Sequence, residues 1–267
     1  MDVIWICTGR FAAPTLWTPA NITTSLWLDA SDASTITLNG STISQWSDKS
    51  GNSRHATQGT ASEQPVYSIA ARNGLNCITF DGVNDSLNVS TTIYQTLLPY
   101  QLFYVSARLG AGSGFDTYRP EISMLSGSNS DLGAFHYIKN TNLLGASYPF
   151  FPAWGAYDLS TGTAYITNQA NILCFKSESP AFTFYRDGVS EGSSSTGSVP
   201  GSDFIGIKIG AQKQAARWSN IHMCEIVQVQ SADTTLRQKT EGYLAHKWGL
   251  TANLPAGHPY KATPPYV

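Results

Sequence analysis

The sequence predicts an all-β fold, two antiparallel sheets packed as a sandwich with one helix near the C-terminus, and three observations carry the prediction. Short runs of β-branched and aromatic residues recur along most of the chain, separated by turns rich in Gly, Asn and Asp. Only the stretch from Leu236 to Trp248 repeats its apolar residues at helical spacing. A chain of 267 residues, 42% of them hydrophobic, can bury a sizeable core as one domain, and all-β sandwiches commonly reach this length.

Charged residues make up only 13% of the chain, about half the usual share. The surface must therefore be covered by Ser, Thr, Asn, Gln and Gly. A net charge of −2 offers no basic footprint for nucleic acid. No apolar run approaches the ~20 residues a bilayer span requires, so no membrane partner is expected.

Residues 1–21 read as an extended arm, with an apolar run from Val3 to Ile6 followed by Pro14 and Pro19, and residues 22–267 as one domain. The first ten residues lack a basic lead and their apolar run is short for a signal peptide, so Sec export is not expected. From Ser25 the pattern becomes regular. Leu26–Asp29 and Ile43–Trp46 are strand-like, with turns at Asn39-Gly40 and Asp48–Asn52. Asn76–Phe80 and Ser86–Val89 flank Asp81-Gly82-Val83-Asn84-Asp85 and read as a hairpin.

Further strands are expected at Leu102–Arg108, Glu121–Leu125, Ala134–Lys139, Ala164–Thr167, Asn171–Lys176, Thr183–Asp187, Phe204–Gly210 and His222–Gln230. Gly110–Pro120 and Glu191–Ser202 read as loops. In the helix, Leu236, Thr240, Tyr243, Leu244 and Trp248 form a core-facing stripe, and Arg237 pairs with Glu241 on the other side. Ser231 is the expected N-cap, Asp233 sits in the first turn, and Gly249 occupies the left-handed position after the last turn. Such a helix should lie against the edge or end of the β-structure.

Cys7, Cys77, Cys174 and Cys224 are widely spaced, three of them inside strand-like runs, without Cys-x-x-Cys spacing. Buried free thiols are the favoured reading over disulfides or a metal.

Leu26–Asp32, Trp46–Asn52, Ile78–Asp85, Tyr185–Val189 and Ile207–Gly210 resemble, in this order, laminin-G-like domains of the concanavalin A-like lectin/glucanase superfamily. Glu241–Leu250 and Leu254–Tyr260 look like the ending of such domains in tailed-phage structural proteins and bacterial surface proteins. The resemblance spans about residues 22–262 and implies a two-sheet antiparallel jelly-roll sandwich whose concave face or rim loops bind carbohydrate in many members. Fold alone does not assign function, because this architecture hosts lectins, hydrolases and structural modules.

Hydrolases of that superfamily carry paired carboxylates on one strand, in a Glu-x-Asp-x-Glu pattern. Here Glu63, Glu121, Glu178, Glu191, Glu225 and Glu241 stand isolated, and no His-Glu-x-x-His, Gly-x-Ser-x-Gly or phosphate-loop pattern is present. A non-enzymatic protein without a required cofactor is therefore expected. For calcium, Asp29, Asp81, Asn84 and Asp85 offer hard oxygen ligands; turn and cap hydrogen bonding is the competing reading of the same residues. For sugar, Tyr148, Phe150, Phe151, Trp154 and Tyr157 form the most aromatic segment, interrupted by prolines, and such rings stack on the apolar face of a pyranose. Packing inward or onto a neighbouring subunit is the alternative.

The expectation is a virion structural protein of tail, fibre or capsid, assembled in the host cytoplasm, contacting other virion proteins through the N-terminal arm, homo-oligomeric, and binding host surface glycan. A decoration module without ligand, a bacterial cell-surface carbohydrate-binding protein and a glycan hydrolase are the alternatives.

Overall fold

The computed structural model describes residues 13–89, 99–110, 119–126, 131–138, 143–148, 157–164, 166–178, 181–194, 204–212 and 217–267. Their strands are β1 (Leu26–Asp29), β2 (Ile36–Asn39), β3 (Thr42–Trp46), β4 (Ala56–Thr57), β5 (Val66–Arg72), β6 (Leu75–Asp81), β7 (Leu87–Val89), β8 (Tyr100–Arg108), β9 (Arg119–Ser126) and β10 (Asp131–Ile138). There follow β11 (Leu143–Tyr148), β12 (Tyr157–Ala164), β13 (Ala170–Ser177), β14 (Phe182–Arg186), β15 (Val189–Ser194), β16 (Phe204–Ile209), β17 (Ala211–Gln212), β18 (Arg217–Trp218) and β19 (Asn220–Val229), then the helix α1 (Thr234–Trp248).

Pairing is antiparallel and folds over into two layers, an all-β sandwich with one C-terminal helix. One layer runs β15–β14–β13–β8–β19, with β6 and β1 one after the other along the free flank of β19. The other runs β2–β3–β4–β7–β16–β9–β10–β11–β12. β5 joins the layers, pairing with β6 and touching β3. Alternate residues meet between them: Leu26, Leu28, Leu102, Tyr104, Phe175 and Ile226 from one side, Ile43, Trp46, Leu87, Val89, Ile122, Ile207 and Ile209 from the other, all buried.

A second core lies outside the sandwich. Phe103, Val105, Ala107, Ile172, Cys174, Val227 and Val229 point away from the first core and pack under Leu244, Ala245, Trp248, Leu250 and Leu254. The central strands of the first layer, β8, β13 and β19, are therefore buried on both faces and read as near-continuous apolar runs. A 15-residue helix is marginal alone in water; burial worth roughly 1.5–3 kcal/mol per large side chain holds this one.

Several expectations are corrected. The helix covers a sheet face rather than an edge or end. Its N-cap is Asp233, which accepts from Leu236 N at 2.6 Å, while Ser231 Oγ accepts from Asp233 N. Arg237 and Glu241, assigned to the outer side, are only 7% and 1% exposed: the Arg237 guanidinium lies 4.0 Å from the centre of the Tyr185 ring on β14, and the C-terminal tail folds over Glu241, with His258 Nε2 3.2 Å from Glu241 Oε2 and His246 Nε2 2.9 Å from the Tyr260 carbonyl. Gly249 does take the left-handed conformation, φ 71°. β6 and β7 do not form a hairpin; the turn between them crosses from one layer to the other. Of the strand expected at Ala164–Thr167, Ala164 is the last residue of β12, Ile166 is not in a strand and Thr167 is in a turn. Of the arm, residues 13–21 are fastened to the body: Trp17 N donates to the Pro265 carbonyl and Val267 N to the Thr15 carbonyl, and Trp17 meets Tyr243 edge-on.

Candidate functional site

The residues that carry the family-like motifs are brought together, but to fasten the helix. Glu225, fully buried on β19, accepts from Trp27 Nε1 (2.9 Å), Tyr243 OH (2.9 Å), Lys247 Nζ (2.7 Å) and Trp248 Nε1 (2.8 Å). Lys247 also reaches Asp29 Oδ1 at 2.7 Å. Lys49 links Asp29 Oδ2 (3.1 Å) with Asp32 Oδ2 (2.8 Å) and sits 4.4 Å from the centre of the Trp27 ring.

Burial pushes the Glu225 carboxyl above its usual range despite Lys247. Burial acts the same way on Asp29, but the Lys247 ammonium, with Ser31 and Lys49, outweighs it and holds that carboxyl below its usual range. Hydrogen bonds from Lys49 and Ser34 lower Asp32 to about 2.

The calcium candidates divide between two places. Asp29 spends both oxygens on lysines. Asp81 Oδ1 accepts from the backbone N–H of Val83, Asn84 and Asp85, and Asp85 Oδ2 accepts from Asp81 N, which organises the crossing turn. Burial raises Asp85 to about 6. Among the described residues no three His, Cys, Asp or Glu side chains are grouped to hold a metal ion.

His222, at the start of β19, accepts from Arg72 Nε through Nδ1 at 3.0 Å, and the Arg72 guanidinium also holds Asn168. Burial, with the Arg72 charge beside it, lowers His222 to about 4. A histidine whose folded pKa lies below its unfolded ~6.5 favours folding while neutral. Its contribution is present above pH 6.5 and is lost as pH falls towards 4. Discounted for partial solvation, that loss is about 1–3 kcal/mol. Denaturant unfolding at pH 7 and pH 4.5 should show it, and His222→Gln should flatten this part of the acid limb; an unchanged slope refutes the assignment.

Two of the aromatic candidates, Tyr148 and Tyr157, belong to the second layer. Tyr148 ends β11, Tyr157 begins β12, and the two are register partners. Phe150, Phe151 and Trp154, between them, lie outside the described residues.

The second layer has a face that the helix does not cover, and a line of polar residues crosses it. Thr37 pairs with Gln45, Gln45 with Thr57, Thr57 with Asn88, Asn88 with Lys208 and Lys208 with Ser123. Each neighbours residues of the inter-layer core, Ile36, Trp46, Ala56, Leu87, Val89, Ile207, Ile209 and Ile122, so strand alternation turns each outward. Thr37 and Thr57 are exposed, Gln45, Asn88 and Lys208 half-buried, and Ser123 Oγ is buried without a hydrogen bond among the described residues. The row offers amide, hydroxyl and ammonium groups over six strands, the chemistry that pairs with sugar hydroxyls. None of the six was singled out from the sequence. The local signal was present, one polar residue between core residues as in Leu87-Asn88-Val89 and Ile207-Lys208-Ile209, but only register aligns them.

The connection from β11 to β12 leaves the same end of this layer as the chain leaving β7 at Val89, the passage from Ser126 to Asp131 and the entry into β16 at Phe204.

No protein-family model and no curated protein matches this chain. Among solved structures it is similar to Trypanosoma rangeli sialidase in complex with sialic acid, at 14% identity and a TM-score of 0.58 over 88% of this chain and 36% of that one. The binding domain of Paraclostridial Mosquitocidal Protein 1 gives 13% identity and a TM-score of 0.58 over 82% and 51%. Domain 4 of an extracellular arabinanase from Geobacillus stearothermophilus, in complex with arabinotriose, gives 15% identity and a TM-score of 0.50 over 80% and 98%. The chain thus spans about a third of the sialidase's length.

The expectation of a non-enzymatic protein is corrected by these findings, since the first structures matched are sialidases, which are enzymes. That expectation rested on missing linear motifs, and a site assembled from residues distant in sequence leaves no such motif. What the likeness shows is the fold alone, a β-sandwich shared with these chains.

Proposed function

We propose that this chain is a lectin-like glycan-binding module whose ligand lies along the open face of the second layer, flanked by the aromatic connection from Tyr148 to Tyr157. The observation that carries the reading is the division of labour between layers. The centre of one is sealed on both faces, whereas the other presents the row Thr37–Gln45–Thr57–Asn88–Lys208, which ends at the buried Ser123. The likeness to a sialidase bound to sialic acid and to an arabinanase domain bound to arabinotriose supports it. A glycan array should identify ligands. Asn88→Ala and Lys208→Ala should each weaken binding about 5–10-fold, the worth of one lost hydrogen bond of about 1–1.5 kcal/mol. Trp154→Ala tests the aromatic connection. Parental affinity in all three variants would place the ligand elsewhere.

The C-terminal resemblance supports display on a virion or a bacterial surface, with the part of the arm before residue 13 as attachment element. Deleting residues 1–12 should abolish association with the particle while leaving glycan binding intact; retained association refutes the arm's role.

A second reading, favoured by the sialidase likeness, is that the chain takes part in glycan hydrolysis. Release of sialic acid or reducing ends from a polysaccharide panel would support it, and no turnover across the panel would remove it.

A further inference from the structure

We propose that Cys77 and Cys224 are the site of a cross-strand disulfide that ties β6 to β19 when the protein meets an oxidising environment. The register pairing Asn220 with Asp81, Ile221 with Phe80, His222 with Thr79 and Met223 with Ile78 reaches Cys224 and Cys77 at its next step. Directly opposed residues of antiparallel strands have Cα atoms about 4.5–5.5 Å apart, inside the roughly 4.4–6.8 Å window of disulfides. The two sulfurs lie 2.9 Å apart, nearer than unbonded sulfurs ordinarily approach. β19 also slips by one residue against β8 between Met223 and Glu225. Cys224 is thus the extra residue of a bulge, with more freedom to turn than a fully laddered position. Cys174 sits on β13, separated from β19 by β8, and does not compete.

Both thiols are fully buried, and burial pushes Cys224 well above the ordinary thiol range. Attack therefore waits for local opening or takes place before α1 docks. With a low-molecular-weight disulfide such as oxidised glutathione the steps balance. One cysteine thiolate attacks a glutathione sulfur and expels a glutathione thiolate. The second cysteine, losing its proton to solvent, then displaces the other glutathione thiolate. One protein S–S bond forms, and one oxidised glutathione becomes two reduced molecules.

The test uses the full chain. Reduced protein is equilibrated in glutathione buffer at an oxidising poise, both folded and during refolding from denaturant. Free thiols are then blocked with N-ethylmaleimide under denaturing conditions, and the digest is read by mass spectrometry. The expected result is one cross-linked pair of peptides, containing Cys77 and Cys224 and lighter by two hydrogens, with Cys7 and Cys174 blocked. Cys174→Ala should leave the link unchanged. Closing so long a loop should raise Tm by about 10 °C, reversibly with dithiothreitol. Blocked Cys77 and Cys224 after both treatments, or a link between any other pair, overturns the proposal.

Discussion

Glu225→Ala is expected to cost about 3–5 kcal/mol of folding stability, a fall in Tm on the order of 10 °C for a chain of this size. The carboxylate takes hydrogen bonds from two indoles, a phenol and an ammonium. Truncation leaves Trp27 Nε1 and Trp248 Nε1 unpartnered inside the second core and opens a polar cavity. Lys247 keeps Asp29 as a partner, so its charge is not stranded. Glu225→Gln keeps an acceptor oxygen and should lose less. Lys247→Met is the informative partner for a double-mutant cycle, because the direct ion pair should appear as a coupling of about 1–3 kcal/mol. Chemical denaturation measures all three. A loss below about 1 kcal/mol for Glu225→Ala would mean that the helix is held by apolar burial alone.

The second large effect concerns the end of β16. Gly210→Ala should destabilise by about 2–5 kcal/mol, combining the left-handed penalty of about 1–2 with overpacking of about 1–3. Gly210 has φ +82°, and an added Cβ would overlap the buried Phe80 ring. Its backbone also joins both neighbours, with its N–H to the Glu121 carbonyl and its carbonyl to Ser219 N, so the segment has little room to move. Gly51 is the control: φ is +84° but nothing lies within 4 Å of a Cβ there. Gly51→Ala should cost only the conformational part, about 1–2 kcal/mol. Equal losses in thermal unfolding would refute the steric part of the argument.

Glu225 shows why the site was harder to read than the fold. In the sequence it is one isolated glutamate, and its isolation counted against chemistry. Its partners Trp27 and Tyr243 stand 198 and 18 residues away. The motifs from Leu26 to Asp32 and from Glu241 to Leu250 were visible as motifs. Their shared purpose, closing on one buried carboxylate, is a property of the assembled layers. Arg237 and Glu241 were misread for a related reason: an i,i+4 charged pair signals an outer helical surface unless another segment covers it, and here Tyr185 of β14 covers Arg237 and the tail, through His258, covers Glu241.

The sequence by itself determined the all-β class, the positions of most strands, the single helix, its left-handed glycine stop and the buried state of Cys77, Cys174 and Cys224. These follow from local terms, the two-residue and 3.6-residue periods and the backbone preferences of Gly, Asn and Asp. Only the tertiary structure decided which layer the helix seals, that the turn at Asp81–Asp85 crosses between layers, that Cys77 faces Cys224, and that Asn88, Lys208 and Ser123 share one row. Those are matters of register and layer assignment. Residues far apart in the chain become neighbours through strand pairing, and a pattern with period two records which face a residue takes but not which strand lies beside it.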